Sequence, residues 1–168
     1  MDSTHSHEFY MRLAIEQAAI AQSKQEVPVG AIVVLNGEII GKGYNLTISQ
    51  CDPSLHAEMV AIKQAAQTIQ NYRLLNAELY VTLEPCAMCA GLLVHSRISR
   101  LVYGAPDYKA GASGSIMNIT QHPQLNHRID VIPNVLQEEC SEQLSGFFRE
   151  RRALKKAMKA KHNASDRL

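Results

Sequence analysis

The feature that most constrains this chain is the pair Asn36-Gly37, set between two strand-like runs. Asn-Gly readily takes the positive φ angles of a tight hairpin turn. Val29 to Leu35 and Glu38 to Tyr44 are therefore expected to be antiparallel partners. Beyond the hairpin, helix and strand patterns alternate. His56 to Ile69 carries Ala57, Val60, Ala61 and Ala65 at helical spacing, and Leu79 to Leu83 is a short strand. Cys86 to Val94 is expected as a helix with Pro85 in its first turn, followed by strands at Arg100 to Tyr103 and Ile129 to Ile132. Ahead of the hairpin, His7 to Lys24 spaces Met11, Ala14, Ile15, Ala18 and Ala19 as a helix does. At the other end, Leu136, Cys140, Leu144 and Phe147 form an apolar stripe on a helix from about 137. Asn45 to Ser54 and Gly104 to Ser115 are expected as loops. The fold class is α/β: a mixed five-stranded sheet with helices on both faces. The hairpin pair is antiparallel, and strands joined through helices are parallel.

A length of 168 residues fits one domain spanning 1–168, and no repeat, low-complexity tract or linker divides it. An apolar fraction of 46% excludes a wholly disordered chain, and no apolar run is long enough to span a bilayer. Met1 to His5 lacks a basic, then apolar, leader, so export is not expected. Cys51, Cys86, Cys89 and Cys140 are too few to staple a chain of this size. They read as thiols of a reducing compartment. Residues 1–148 hold 9 basic and 14 acidic side chains, a net −5, whereas residues 149–168 hold 8 basic and 2 acidic, a net +6. A basic tail on an acidic body is either a solvated helix end, fraying after 159, or a polyanion contact.

Two short blocks carry chemistry. Cys86 and Cys89, at i and i+3, turn both sulfurs to one side of a helix start, where the helix dipole favours thiolate. His56 and Glu58 stand at another helix start. Positions i and i+2 do not share a helix face, so the two side chains converge only at a helix end. Three ligands and an open position define a catalytic zinc site. Zinc held by His56, Cys86 and Cys89 would lower the pKa of a bound water. Glu58 would take that water's proton, pass it to a substrate ring and then protonate a leaving amine. The implied reaction is hydrolytic deamination of an aromatic amine. Two other readings stay open: Cys51 as a fourth ligand closing a structural site, or Cys86 and Cys89 as a redox pair.

The set His56-Ala57-Glu58 and Pro85-Cys86-Ala87-Met88-Cys89 resembles the signature of the cytidine-deaminase superfamily, with its three-layer fold. Further stretches resemble the bacterial tRNA-specific adenosine deaminases. They are Val27 to Ala31, Asp52 to Glu58, Asn71 to Leu74, Leu79 to Cys89, Tyr103 to Ser115, Asn126 to Arg128 and Phe147 to Arg149. That resemblance implies one Zn²⁺ per subunit, a cytoplasmic homodimer and conversion of the wobble adenosine of an arginine tRNA to inosine. It also implies an anticodon stem-loop as partner and no membrane association. Asn45 is similar to a nucleoside contact, with loop capping as the competing role. Asp107, beside Lys109, is similar to a residue near a flanking ribose, with an Asx-turn as the competing role. Asn126 is either an anticodon-loop contact or part of a turn. Phe147 continues the apolar stripe and belongs to the core. Phe148, Arg149 and Arg152 offer stacking and phosphate contacts. The chain departs from the family pattern at Leu46, Thr47, Cys51, Leu55 and Pro106. A deaminase of free guanine, cytosine or deoxycytidylate would use the same metal chemistry, and a zinc-stabilised RNA-binding module would not need Glu58.

Overall fold

The computed structural model describes His5 to Ser165; Met1 to Thr4 and Asp166 to Leu168, which include the expected leader-free start and the last of the expected frayed end, lie outside the described residues. The order is α1 (His7–Ser23), β1 (Gly30–Leu35), β2 (Glu38–Tyr44), α2 (Ala57–Ile69), β3 (Glu78–Leu83), α3 (Ala87–His95), β4 (Arg100–Ala105), β5 (Asp130–Ile132) and α4 (Gln137–Ser165). The five strands form one mixed sheet in the order β2-β1-β3-β4-β5. β1 is antiparallel to both β2 and β3, while β3–β4 and β4–β5 are parallel. The crossover through α2 thus joins two strands of the same direction, as expected, but β1 is inserted between them.

Alternation along the strands sorts the core into two layers. Ala31, Val33, Leu79, Val81 and Leu101 pack with Ala57, Ala61 and Ala65 of α2 and Leu93 of α3. Ile32, Val34, Tyr80 and Val102 face the other way, onto Tyr10, Met11 and Ala14 of α1 and Cys140 of α4. The sheet is therefore covered by α2 and α3 on one face and by α1 and α4 on the other.

Close approach of α2 to β2 requires glycine. A Cβ on Gly43 would run into the backbone of Ala57 and Ala61, and one on Gly41 into that of Ala61 and Ala65. With alanines on the facing side of α2, this contact fixes where the first turn of α2 lies. α4 remains helical through Ser165, past the point where fraying is expected, and every residue from Phe148 to Ser165 is exposed.

Candidate metal centre

Two helix starts converge at the site. His56 is the N-cap of α2 and Cys86 the N-cap of α3, each in extended backbone and neither capping its helix with its own side chain. Both helices begin one residue later than the pattern predicts. Pro85 consequently precedes the cap instead of sitting in the first turn. Its carbonyl accepts the Ala112 amide at 2.8 Å. An N-cap side chain ordinarily serves the helix. These two face the site instead.

His56 Nδ1 lies 3.5 Å from Cys86 Sγ and 3.7 Å from Cys89 Sγ. The three ligand atoms fall within 4.8 Å of one another, and no fourth His, Cys, Asp or Glu joins the group among the described residues. Cys51 is exposed, its Sγ 3.7 Å from the Ile48 carbonyl oxygen, and Cys140 is buried on the sheet-facing side of α4. The redox alternative leaves His56, whose Nδ1 stands beside both sulfurs, without a role.

The electrostatics fit a divalent cation. Cys86 is pushed down to about 3, by hydrogen bonds from Cys89 and from His56. Cys89 is pushed up as the donor to Cys86 and by burial. One negative charge is thus shared by two sulfurs, and the pair titrates as a unit. A divalent ion permits both to ionise, and two thiolates with one imidazole are a donor set that suits zinc. His56 is raised, first by its hydrogen bond with Cys86. Glu58, second residue of α2, is only 4% exposed. Burial raises its carboxyl to about 7, against the opposing pull of its own backbone amide and of His56. It also hydrogen-bonds the Cys89 side chain, which places the carboxyl beside the ligand cluster.

Residues 4–105 match the family model described as the cytidine and deoxycytidylate deaminase zinc-binding region. The tRNA-specific adenosine deaminase of Haemophilus influenzae is 54% identical over 151 residues, covering 89% of this chain and 87% of the relative. That of Bacillus subtilis is 48% identical over 159 residues, covering 95% and 98%. The chain belongs to the tRNA-specific adenosine deaminase family. A solved structure from a study of A-to-I editing by tRNA:A34 deaminases at the wobble position superposes with a TM-score of 0.78 at 40% identity. It covers 81% of this chain and 99% of that one.

In this deaminase the remaining predicted residues take distinct places. Asn45 is buried, and its Oδ1 accepts the Ala57 amide at 2.9 Å, so the capping role is realised beside the site. Asp107 forms the Asx-turn: its Oδ1 accepts the amides of Lys109 at 3.0 Å and Ala110 at 3.2 Å, while Lys109 itself is exposed. Asn126 is exposed and accepts from Arg97 at 3.5 Å, just beyond the far end of α3 from Cys86. Phe147 is buried as expected. Phe148 is 39% exposed and edge-on to Phe147, Arg149 pairs with Glu142 at 2.6 Å, and Arg152 is exposed. These three lie on α4, across the sheet from α2 and α3.

Two buried carboxylates escape the sequence reading. Glu26 accepts the amides of Ile48 at 3.1 Å and Ser49 at 2.6 Å, holding the loop between β2 and α2. Glu84 receives four donors from the segment 107–115.

Proposed function

We propose that this chain hydrolyses the wobble adenosine of a tRNA, an arginine tRNA, to inosine and ammonia. The observation that carries the chemistry is the buried Glu58 carboxyl beside a three-ligand cluster that no fourth His, Cys, Asp or Glu joins among the described residues. The tRNA substrate follows from what the Haemophilus influenzae and Bacillus subtilis relatives are named for. His56, Cys86 and Cys89 would hold one zinc ion, whose Lewis acidity activates water when bound. Glu58 holds a proton close to neutral pH, which suits a group that must first accept one from water and then deliver it. Burial keeps that carboxyl from bulk solvent. Asn45 fixes the first turn of α2, and so the direction of His56. Asp107, Lys109, Asn126, Phe148, Arg149 and Arg152 complete the reading as RNA contacts, and a cytoplasmic homodimer completes it as the working form.

The test is an anticodon stem-loop with a wobble adenosine, run beside free adenosine, cytidine and guanine. Inosine in the stem-loop alone is the expected result. Deamination of a free base or nucleoside at a comparable rate would replace this reading with the free-base alternative. Glu58→Gln should keep one zinc per chain and RNA affinity while losing at least about 100-fold in turnover. A Glu58→Gln protein with full turnover would remove the proton shuttle from the mechanism. Sedimentation of the purified protein reads the dimer.

A further inference from the structure

Glu84 directly follows β3, two residues before the ligand Cys86, and is 2% exposed. Its Oε2 accepts the amides of Ser113 and Ser115, both at 3.2 Å. Its Oε1 accepts the Ser115 hydroxyl at 2.5 Å and the Asp107 amide at 3.4 Å. No lysine or arginine is paired with it among the described residues. A buried charge held only by N–H and O–H groups is tolerable when every lone-pair site is used, and here four donors fill them. The fit is close: a Cβ on Gly111 would collide with the carboxylate. The same segment is stitched to the ligand-bearing turn from its other side, by the Cys86–Gly111 bridge and the Ala112-to-Pro85 hydrogen bond of 2.8 Å.

The loop so fixed carries a large ring in water. The Asp107 turn sets Tyr108 on its crest, 76% exposed, with Lys109 exposed beside it. Aromatic rings are sequence-tolerant stacking surfaces for unpaired bases, and an adjacent ammonium suits the neighbouring phosphate. A loop with pinned backbone loses little freedom on binding.

We infer that the Tyr108 ring stacks on an RNA base flanking the edited one and that Glu84 is the positioning residue that fixes the backbone of segment 107–115 beneath it. This rests on the tRNA reading above. It deepens that reading by naming the side chain that meets a neighbouring nucleotide and the group that holds it in place.

The experiment uses the zinc-loaded full chain and the wobble-adenosine stem-loop. Tyr108→Ala should raise KM and the dissociation constant about tenfold, within the range of one base–aromatic stack, with kcat changed less than about threefold. Tyr108→Phe should restore both to within about twofold, since the ring and not the hydroxyl carries the contact. Glu84→Gln places an amide donor against the Ser113 and Ser115 amides. It should raise KM in the same direction, remove hydrogen-exchange protection at Ser113 and Ser115, and leave one zinc per chain. If Glu84→Gln does not fold, Ser115→Ala reads the same effect at smaller size. An unchanged KM in Tyr108→Ala, a Phe variant as impaired as Ala, or a loosened loop with unchanged KM overturns the inference. A parent that binds and edits the stem-loop with Tyr108-independent affinity overturns this inference alone. A parent that does neither overturns the tRNA reading with it.

Discussion

The Asn45 carboxamide oxygen accepts the Ala57 amide at 2.9 Å, doing for α2 what its N-cap residue His56 does not. The first turn of a helix leaves amides without intrahelical partners, and an N-cap side chain normally satisfies one of them. Borrowing the cap from a residue beyond β2 leaves the His56 ring directed at the two sulfurs. Asn45→Ala should cost about 1 kcal/mol of stability, the usual loss for a helix cap, and lower zinc affinity as well. Asn45→Asp keeps an acceptor oxygen and should restore stability and metal content, though not the amide donor. Thermal unfolding and metal analysis on the three proteins read this directly. Equal zinc affinity in parent and Asn45→Ala would mean that His56 is aimed without the borrowed cap.

The metal content itself separates the ligands from the spare thiols. Cys86→Ser or Cys89→Ser removes one of three ligands and should leave well under one zinc per chain after dialysis against a weak chelator. Cys51→Ser should leave zinc and activity unchanged, because Cys51 is exposed and outside the ligand group. Loss of zinc in Cys51→Ser would instead identify it as the closing ligand of a structural site.

Glu26 links loop order to pH. Burial alone would raise its carboxyl, but hydrogen bonds from the Ser49 and Ile48 amides and from the Ser49 and Thr47 side chains outweigh it, holding the group below the ordinary 4.5. A carboxyl lowered in the folded state contributes stability that is fully present above 4.5. That contribution is lost as pH falls through the lower folded value. Glu26→Gln should therefore be less stable than the parent at pH 7, with the gap narrowing as pH falls below 4.5. Denaturant midpoints at a series of acid pH values test it. A gap that stays constant with pH would assign the loss to packing, not to charge.

How much of this could be read from residues alone depends on the range of each interaction. The hairpin at Asn36-Gly37, the alternating strands and the amphipathic helices are local patterns, and each element lies within a residue or two of its expected bounds except the end of α4, which stays helical through Ser165. The His56, Cys86 and Cys89 cluster was legible because its chemistry restricts both residue type and spacing. The insertion of β1 between β2 and β3 was not, since strand order is decided by long-range packing such as Gly41 and Gly43 against α2. Glu26 and Glu84 were passed over because a glutamate in a sequence carries no mark of burial. Only the folded chain brings Ser49 to one and Ser115 to the other.

The basic end of α4 offers a test that leaves the fold intact. Every residue from Phe148 to Ser165 is exposed, and the stripe that anchors α4 ends at the buried Phe147. Truncation after Phe148 removes Arg149, Arg151, Arg152, Lys155, Lys156, Lys159, Lys161 and Arg167 but no buried side chain among the described residues, its one loss at the core being the Arg151 guanidinium over the Phe147 ring, so the unfolding midpoint should move little. Stem-loop affinity should fall, and its dependence on salt should flatten. Each lost phosphate contact reduces the slope of log affinity against log salt by roughly 0.7 for single-stranded RNA. Arg149 already shares its charge with Glu142, whereas Arg152 and Lys156 stand one turn apart on the same face with no carboxylate partner among the described residues. The double substitution Arg152→Gln and Lys156→Gln should therefore change the slope more than Arg149→Gln. A truncated protein with the parent's slope would make the tail a solvated helix end and return recognition to the loops around the zinc ligands.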